Sequence, residues 1–239
     1  MYQAMRIFVC FLFITVMSCT HKESDFKEES LMDQRQLSDT TIQKFYDNGN
    51  LKEDFRLKDG IVHGQYRAYH PNGKISLKGG YDSGRFIGRW EYYDAKEHLD
   101  SVTEYSIVNT KSEINRKWVF DKNGDTINER SFYYTTQFYK DTIEIGEFNS
   151  LYIMLENPYF GEQMTILLGG FDKGFSNVEE IETDSLWLTT YGFEYNFVSY
   201  KPGKNVVRLI AVDLDKDGRA KYFFIEEEFF VVAEYSDDI

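Results

Sequence analysis

The sequence predicts an all-β protein built in two parts, a meander of antiparallel hairpins followed by an antiparallel β-sandwich. Three observations lead there. A short motif between Phe45 and Tyr93 is written twice at a spacing of 24 residues, which marks stacked supersecondary units that bury a core against their neighbours. Within each copy apolar and polar side chains alternate with period two, as in a strand with one buried face. From Thr135 onward that spacing is lost, and apolar, β-branched and aromatic runs follow one another between turn residues, the pattern of a sandwich.

The repeat is explicit in its glycines: Gly49, Gly60 and Gly64 recur as Gly73, Gly84 and Gly88. Leu51, Glu53, Phe55 and Leu57 alternate with Lys52, Asp54, Arg56 and Lys58, while Ile75, Leu77, Gly79 and Tyr81 alternate with Lys74, Ser76, Lys78 and Gly80. The second strand of each hairpin is aromatic, with Tyr66 and Tyr69 in one copy and Trp90, Tyr92 and Tyr93 in the other. Asn48-Gly49 and Asn72-Gly73 supply the positive φ angles that a tight turn between antiparallel strands requires. An aromatic pair, an Asn-Gly turn and an Asp-Gly-x-x-x-Gly stretch before the next aromatic strand resemble the MORN-repeat family in its bacterial variant form. That resemblance implies MORN-type hairpins that present a surface to other molecules, and bacterial proteins of this type are often labelled antitoxins.

Ahead of the repeat, Met5-Arg6, the apolar run Ile7 to Met17 and Ser18-Cys19 have the parts of an export signal: a positive start, a short apolar stretch and a small residue at the cut. Val16-Met17-Ser18-Cys19 resembles a lipobox, in which the cysteine becomes the first mature residue and carries the lipid. Residues 1–18 are therefore expected to be a lipoprotein signal peptide and Cys19 the lipidation site, anchoring the protein in the cell envelope at the outer membrane. The two cysteines are Cys10 and Cys19, so processing would leave Cys19 nothing to pair with. Residues 19–38 are polar, cannot bury enough apolar surface to offset their ordering entropy, and read as a tether. The acidic cluster Glu23, Asp25, Glu28 and Glu29 resembles the surface-export signal of some outer-membrane lipoproteins, with a solvated linker as the simpler reading.

Residues 39–134 are assigned to the repeat part. Asp94-Ala95-Lys96-Glu97 stands where the next turn is due, Trp118 to Gly124 restates the aromatic strand and turn after a short insertion, and one more strand is expected over 127–134. Residues 135–239 are expected to form seven strands, over 142–147, 151–156, 164–168, 185–190, 193–200, 206–214 and 221–233. Seven is the strand count of an immunoglobulin-like sandwich. Lys201-Pro202-Gly203-Lys204-Asn205 and the apolar run that follows resemble the late strand and preceding turn of bacterial immunoglobulin-like domains, without a tryptophan-and-disulfide core.

Charge and motifs then narrow the function. Residues 136–239 carry eight Lys or Arg against 20 Asp or Glu, a balance of −12 out of −13 for the whole chain, so this half repels nucleic acid and attracts cationic partners. No His or Cys spacing suits zinc, no glycine-rich loop opens a helix and no nucleophile elbow occurs; a non-enzyme without a cofactor is expected. Asp213, Asp215 and Asp217, followed by Gly218, match the first half of a calcium loop, but its twelfth position is Phe224 instead of a bidentate Glu, and a hairpin turn explains the segment better.

Strand alternation divides the aromatic residues into two sets. Tyr69 and Tyr93 are expected to pack inward in one row with Phe45 and Phe120, leaving Tyr66, Trp90 and Tyr92 as the exposed set and the candidate contacts. The leading expectation is a membrane-anchored envelope lipoprotein that binds a partner protein, or acts as a scaffold, through its repeat hairpins. A second is an antitoxin or immunity protein neutralising a basic toxin, and a third is glycan binding or processing.

Overall fold

The computed structural model describes residues 39–161, 163–188 and 192–233, all within one compact unit spanning Gln36–Ile239. The fold is all-β. Its first part is a seven-stranded antiparallel meander in which each strand pairs with the next: β1 (Thr40–Phe45), β2 (Leu51–Lys58), β3 (Ile61–Tyr69), β4 (Ile75–Asp82), β5 (Arg85–Tyr93), β6 (Leu99–Val108) and β7 (Lys111–Val119).

The two ends of this sheet use different turns. At one end β2–β3, β4–β5 and β6–β7 are closed by two-residue loops, Asp59-Gly60, Ser83-Gly84 and Asn109-Thr110, each with positive φ at both residues. That is the turn whose twist matches paired strands. At the other end the loops are longer, and the amides of Gly49, Gly73, Glu97 and Gly124 donate to the carbonyls of Tyr46, His70, Asp94 and Asp121. Glu97 therefore sits at the position glycine holds 24 residues earlier, with φ 74°. Consecutive loops are tied side by side. Asn48 Nδ2 donates to the Pro71 carbonyl at 2.9 Å, and Asn72 Nδ2 repeats the bond to Ala95 at 2.8 Å. Gly64 and Gly88, with φ 79° and 60°, lie beside the register shifts of the β2–β3 and β4–β5 pairs, where a bulge bends the strand.

The strand expected over 127–134 is replaced by a 3-10 turn at Asn128–Arg130, after which the chain enters the second part. Ser131 makes that change of direction, donating to the Ile127 carbonyl at 2.7 Å and accepting from the Val119 amide at 2.9 Å. Eight strands follow: β8 (Tyr133–Phe138), β9 (Thr142–Glu144), β10 (Phe148–Asn157), β11 (Gln163–Leu168), β12 (Asp184–Leu188), β13 (Gly192–Val198), β14 (Gly203–Leu214) and β15 (Ala220–Val232). They form a three-stranded sheet, β13-β10-β8, and a five-stranded sheet, β12-β11-β14-β15-β9, in which only the β15–β9 pair is parallel. With β8, β10 and β13 as strands A, B and E, and β11, β14 and β15 as C, F and G, the pairings are those of the immunoglobulin-like sandwich.

The main core lies between these sheets. Leu151, Ile153 and Leu155 of β10 meet Leu209 and Ala211 of β14 and Phe223, Ile225 and Phe229 of β15. Burying each large side chain contributes about 1.5–3 kcal/mol relative to leaving it exposed. The five-stranded sheet is covered on its other face as well. There Ile210, Val212 and Phe224 pack against Val108 from β6 and Phe171 and Phe175 from the β11–β12 connection. This explains the unbroken apolar run in β14, since a strand buried on both faces has no polar side to alternate.

A polar latch joins the parts. Buried Asn115 of β7 accepts from the Phe224 amide and donates to the Phe224 carbonyl, both at 2.8 Å, so its carboxamide stands in for one more peptide unit beside β15. The Tyr134 hydroxyl donates to the same carbonyl at 3.0 Å. Burial pushes the Tyr134 phenol up to about 12, keeping it a neutral donor.

Candidate interaction surface

The meander has two dissimilar faces. On one, directly paired residues make a charged row: Asp54 opposes Arg67, Arg67 opposes Lys78 and Lys78 opposes Glu91. Glu91 receives Lys78 Nζ at 2.7 Å and Arg89 Nε at 2.9 Å, and Tyr93 donates to it from the same face. Partial burial opposes ionisation of Glu91, but hydrogen bonds from Lys78, Tyr93 and Arg89 outweigh it and hold the carboxyl at about 2.

The other face is aromatic. Phe55, Tyr66, Tyr81, Phe86 and Tyr105 run across β2 to β6, with ring centroids 5.0–5.8 Å apart between neighbours. Trp90 lies at the centre. It touches Tyr66, Tyr81, Phe86 and Tyr105 at centroid distances of 5.8, 5.1, 4.7 and 6.4 Å and has no exposed surface. Its room comes from Gly79 on the neighbouring strand, where a Cβ would fall 2.1 Å from the indole Cδ2. The row is therefore a layer of half-buried tyrosines and an exposed Phe86 supported by one buried tryptophan.

This corrects the expected division of aromatic residues. Trp90 belongs to the core of the sheet and is no contact residue. Phe45, expected inside, is 58% exposed at the edge strand, while Tyr69 and Tyr93 are half-buried and Tyr93 lies on the charged face. The physical reason is the gap left by Gly79, which makes the large ring opposite it the buried one. Tyr66 stays in the candidate surface. Tyr92 is half-buried on the same face, with its phenol raised by burial and then by a hydrogen bond with Tyr105. Burial and the nearby Glu53 carboxylate also raise Tyr66 and Tyr81, so the face presents neutral phenols at physiological pH. One cation already rests at its end: Lys44 Nζ stands 5.2 Å over the Phe55 ring and 2.8 Å from Glu53.

No protein-family model matches the chain, and no curated protein does. Among solved structures it is similar to the PmoD soluble domain from Methylocystis sp. strain Rockwell at 15% identity and a TM-score of 0.27, over 42% of this chain and 90% of that one.

The other sequence candidates fall elsewhere. Asp213 is fully buried, and its two oxygens accept the Phe160 and Gly161 amides at 2.7 and 3.0 Å. Asp215 accepts the Asp217 and Arg219 amides and pairs with the Arg219 guanidinium at 2.6 Å, while Asp217 is exposed. The segment is the β14–β15 hairpin turn, and its carboxylates do not converge. Cys19 and the tether lie outside the described residues. The alternation read in the sequence puts Tyr81 on the same side of β4 as Ile75 and Leu77 but does not pick out Phe86 and Tyr105; the signal that could have found the row is Gly79, which interrupts the apolar period of β4.

Proposed function

We propose that this protein is a lipid-anchored envelope lipoprotein whose meander sheet binds a partner protein through the aromatic face of β2 to β6. The observation that carries the reading is the row Tyr66, Tyr81, Phe86 and Tyr105, supported from beneath by Trp90. Rigid aromatic side chains offer large contact area at low entropic cost and are enriched where proteins bind. The partner presents basic side chains. Glu53 beside the phenols and the Lys44 contact on Phe55 favour ammonium or guanidinium groups at this surface, and the −12 balance of residues 136–239 favours a cationic partner for the molecule as a whole. Anchorage rests on Cys19 and the apolar segment before it, and neutralisation of a basic toxin is the special case in which that partner is harmful.

The test is affinity capture from detergent-solubilised envelopes with the wild type and with a Tyr66→Ala, Tyr81→Ala, Tyr105→Ala variant of matched secondary structure. A basic protein retained by the wild type, lost from the variant and released by raised salt is the expected result. Equal recovery on both baits would remove the aromatic face from the proposal, and a Cys19→Ala protein that still labels with lipid would remove the anchor.

A further inference from the structure

A second site lies where the meander meets the sandwich. A cleft of about 860 Å³ is bounded by Ile114 and Lys117 of β7, the 128–132 turn, the 157–160 loop and Lys221 of β15. Its walls are fixed. Asn157 Nδ2 donates to the carbonyls of Asn128 and Ser131 at 2.6 and 2.5 Å, tying loop to turn, and Asp213 holds the loop from below through the Phe160 and Gly161 amides. The lining combines two chemistries. Phe132, Tyr159 and Phe160 form an edge-to-face chain with centroids 5.2 and 4.8 Å apart, beside Pro158 and Ile114. Lys117, Arg130 and Lys221 bring three cations against the single lining carboxylate, that of Glu129. Among the described residues, no carboxylate stands within ion-pairing distance of any of the three.

Lys221 is the central group. Its stem passes over aromatic rings, with Nζ 4.9 Å above Phe132 and 5.5 Å above Phe223, and the ammonium donates to the Ile114 carbonyl. Burial pulls its pKa down to about 8, with Glu113 opposing. A cation that has lost much of its water without a carboxylate at ion-pairing distance is stabilised by any anion that can reach it. An inorganic anion would use the cations and leave the aromatic wall idle, whereas a flat or branched apolar body fills that wall.

We propose that this cleft binds a small organic carboxylate with an apolar body, its carboxylate against Lys221, Lys117 and Arg130 and its body against Phe132, Tyr159 and Phe160. The probe is 4-fluorobenzoate, followed by fluorine NMR on the purified chain, with neutral 4-fluorobenzamide and cationic 4-fluorobenzylamine as isosteres. Saturable binding of the benzoate, about tenfold or more tighter than the amide and without saturable binding of the amine, is expected. Lys221→Met should weaken the benzoate about tenfold with little change for the amide. Because Lys221 is half-buried and its change can disturb packing, the exposed Arg130→Gln is the second variant, expected to weaken the benzoate severalfold at an unchanged melting temperature. Equal affinity for acid, amide and amine, or benzoate binding untouched by both substitutions, would overturn the proposal. Competition of the benzoate by plain phosphate at equal concentration would also overturn it, by showing an anion site that has no use for the aromatic wall.

Discussion

Gly79 and Gly80 are adjacent in β4, and the structure assigns them opposite tolerance for a methyl group. A Cβ on Gly79 would stand 2.1, 2.4 and 2.6 Å from Cδ2, Cε2 and Cε3 of Trp90. Ordinary carbon contacts begin near ~3.5 Å, so the indole must retreat by roughly 1.4 Å or the strands must part. Trp90 is fully buried and surrounded by Tyr66, Tyr81, Phe86 and Tyr105, which leaves no free direction. Overpacking alone costs about 1–3 kcal/mol, and ejecting the ring approaches the 3–5 kcal/mol of deleting it. Gly79→Ala should therefore destabilise by about 3 kcal/mol, lowering the melting temperature by roughly 6–12 °C for a protein of this size. A Cβ on Gly80 would meet Ile87 Cγ1 at 3.6 Å and backbone oxygens at 3.8 and 3.9 Å, which is ordinary contact. Gly80→Ala should be neutral or stabilise by up to ~1 kcal/mol, because alanine has less freedom to lose on folding. The assay is urea denaturation followed by circular dichroism and tryptophan fluorescence. On a Trp90→Leu background the Gly79→Ala penalty should largely vanish, since the methyl then enters vacated space. Equal stability of the two alanine variants, or a full penalty retained in the Gly79→Ala, Trp90→Leu double variant, would refute the account of Trp90 as the ring that Gly79 admits.

Four further outcomes follow from single contacts. Glu97→Gly should raise stability by about 0.5–1 kcal/mol in thermal melts, because relief of a positive φ outweighs both the loosened unfolded chain and an exposed ion pair with Lys74. Asn115→Leu should cost about 2–4 kcal/mol in urea titration, since it leaves the Phe224 amide buried without its partner and the Phe224 carbonyl with Tyr134 alone. Asp213→Ala should cost about 2–3 kcal/mol while Asp217→Ala stays within about 0.5, a contrast that a shared cation site would erase in melts run with calcium. Glu91 is depressed from 4.5 to about 2, so its contribution is full above pH 4.5 and is lost as pH falls toward 2; a stability gap between wild type and Glu91→Gln should close over that window in acid titration.

The parts of the fold that are legible in the sequence are those written as local chemistry. The turn glycines Gly49, Gly73, Gly60 and Gly84 state their backbone conformation outright, and spacing alone places Glu97 in the next turn. The strands of the sandwich are visible because runs such as Val206 to Leu214 exceed what any loop would carry. The partners are harder to see. The aromatic row depends on which face each strand presents, and the decisive residue there is a glycine, whose contribution is the volume it leaves empty. A pattern that scores side chains gives such a residue no weight. The cleft around Lys221 depends on residues as far as 107 positions apart, drawn together from β7, the 128–132 turn, the 157–160 loop and β15.

The same reasoning explains how the meander is held. A single-layered sheet with one charged and one aromatic face has no second layer to bury against, so its early strands depend on Trp90 and on the Asn48 and Asn72 ties between loops. Its last two strands are treated differently. Val108 of β6 joins the apolar layer behind the five-stranded sheet, and Asn115 of β7 completes a peptide-like pairing with Phe224. Stability should thus be graded along the meander, with β6 and β7 sharing the cooperativity of the sandwich and β1 and β2 opening first. Hydrogen exchange measured strand by strand would show amides of β7 protected to the same level as those of β14, and amides of β2 exchanging well before them. Uniform protection from β2 to β7 would mean that the aromatic row alone holds the sheet as tightly as the two-sided core holds the sandwich, and the latch at Asn115 would then have no special role.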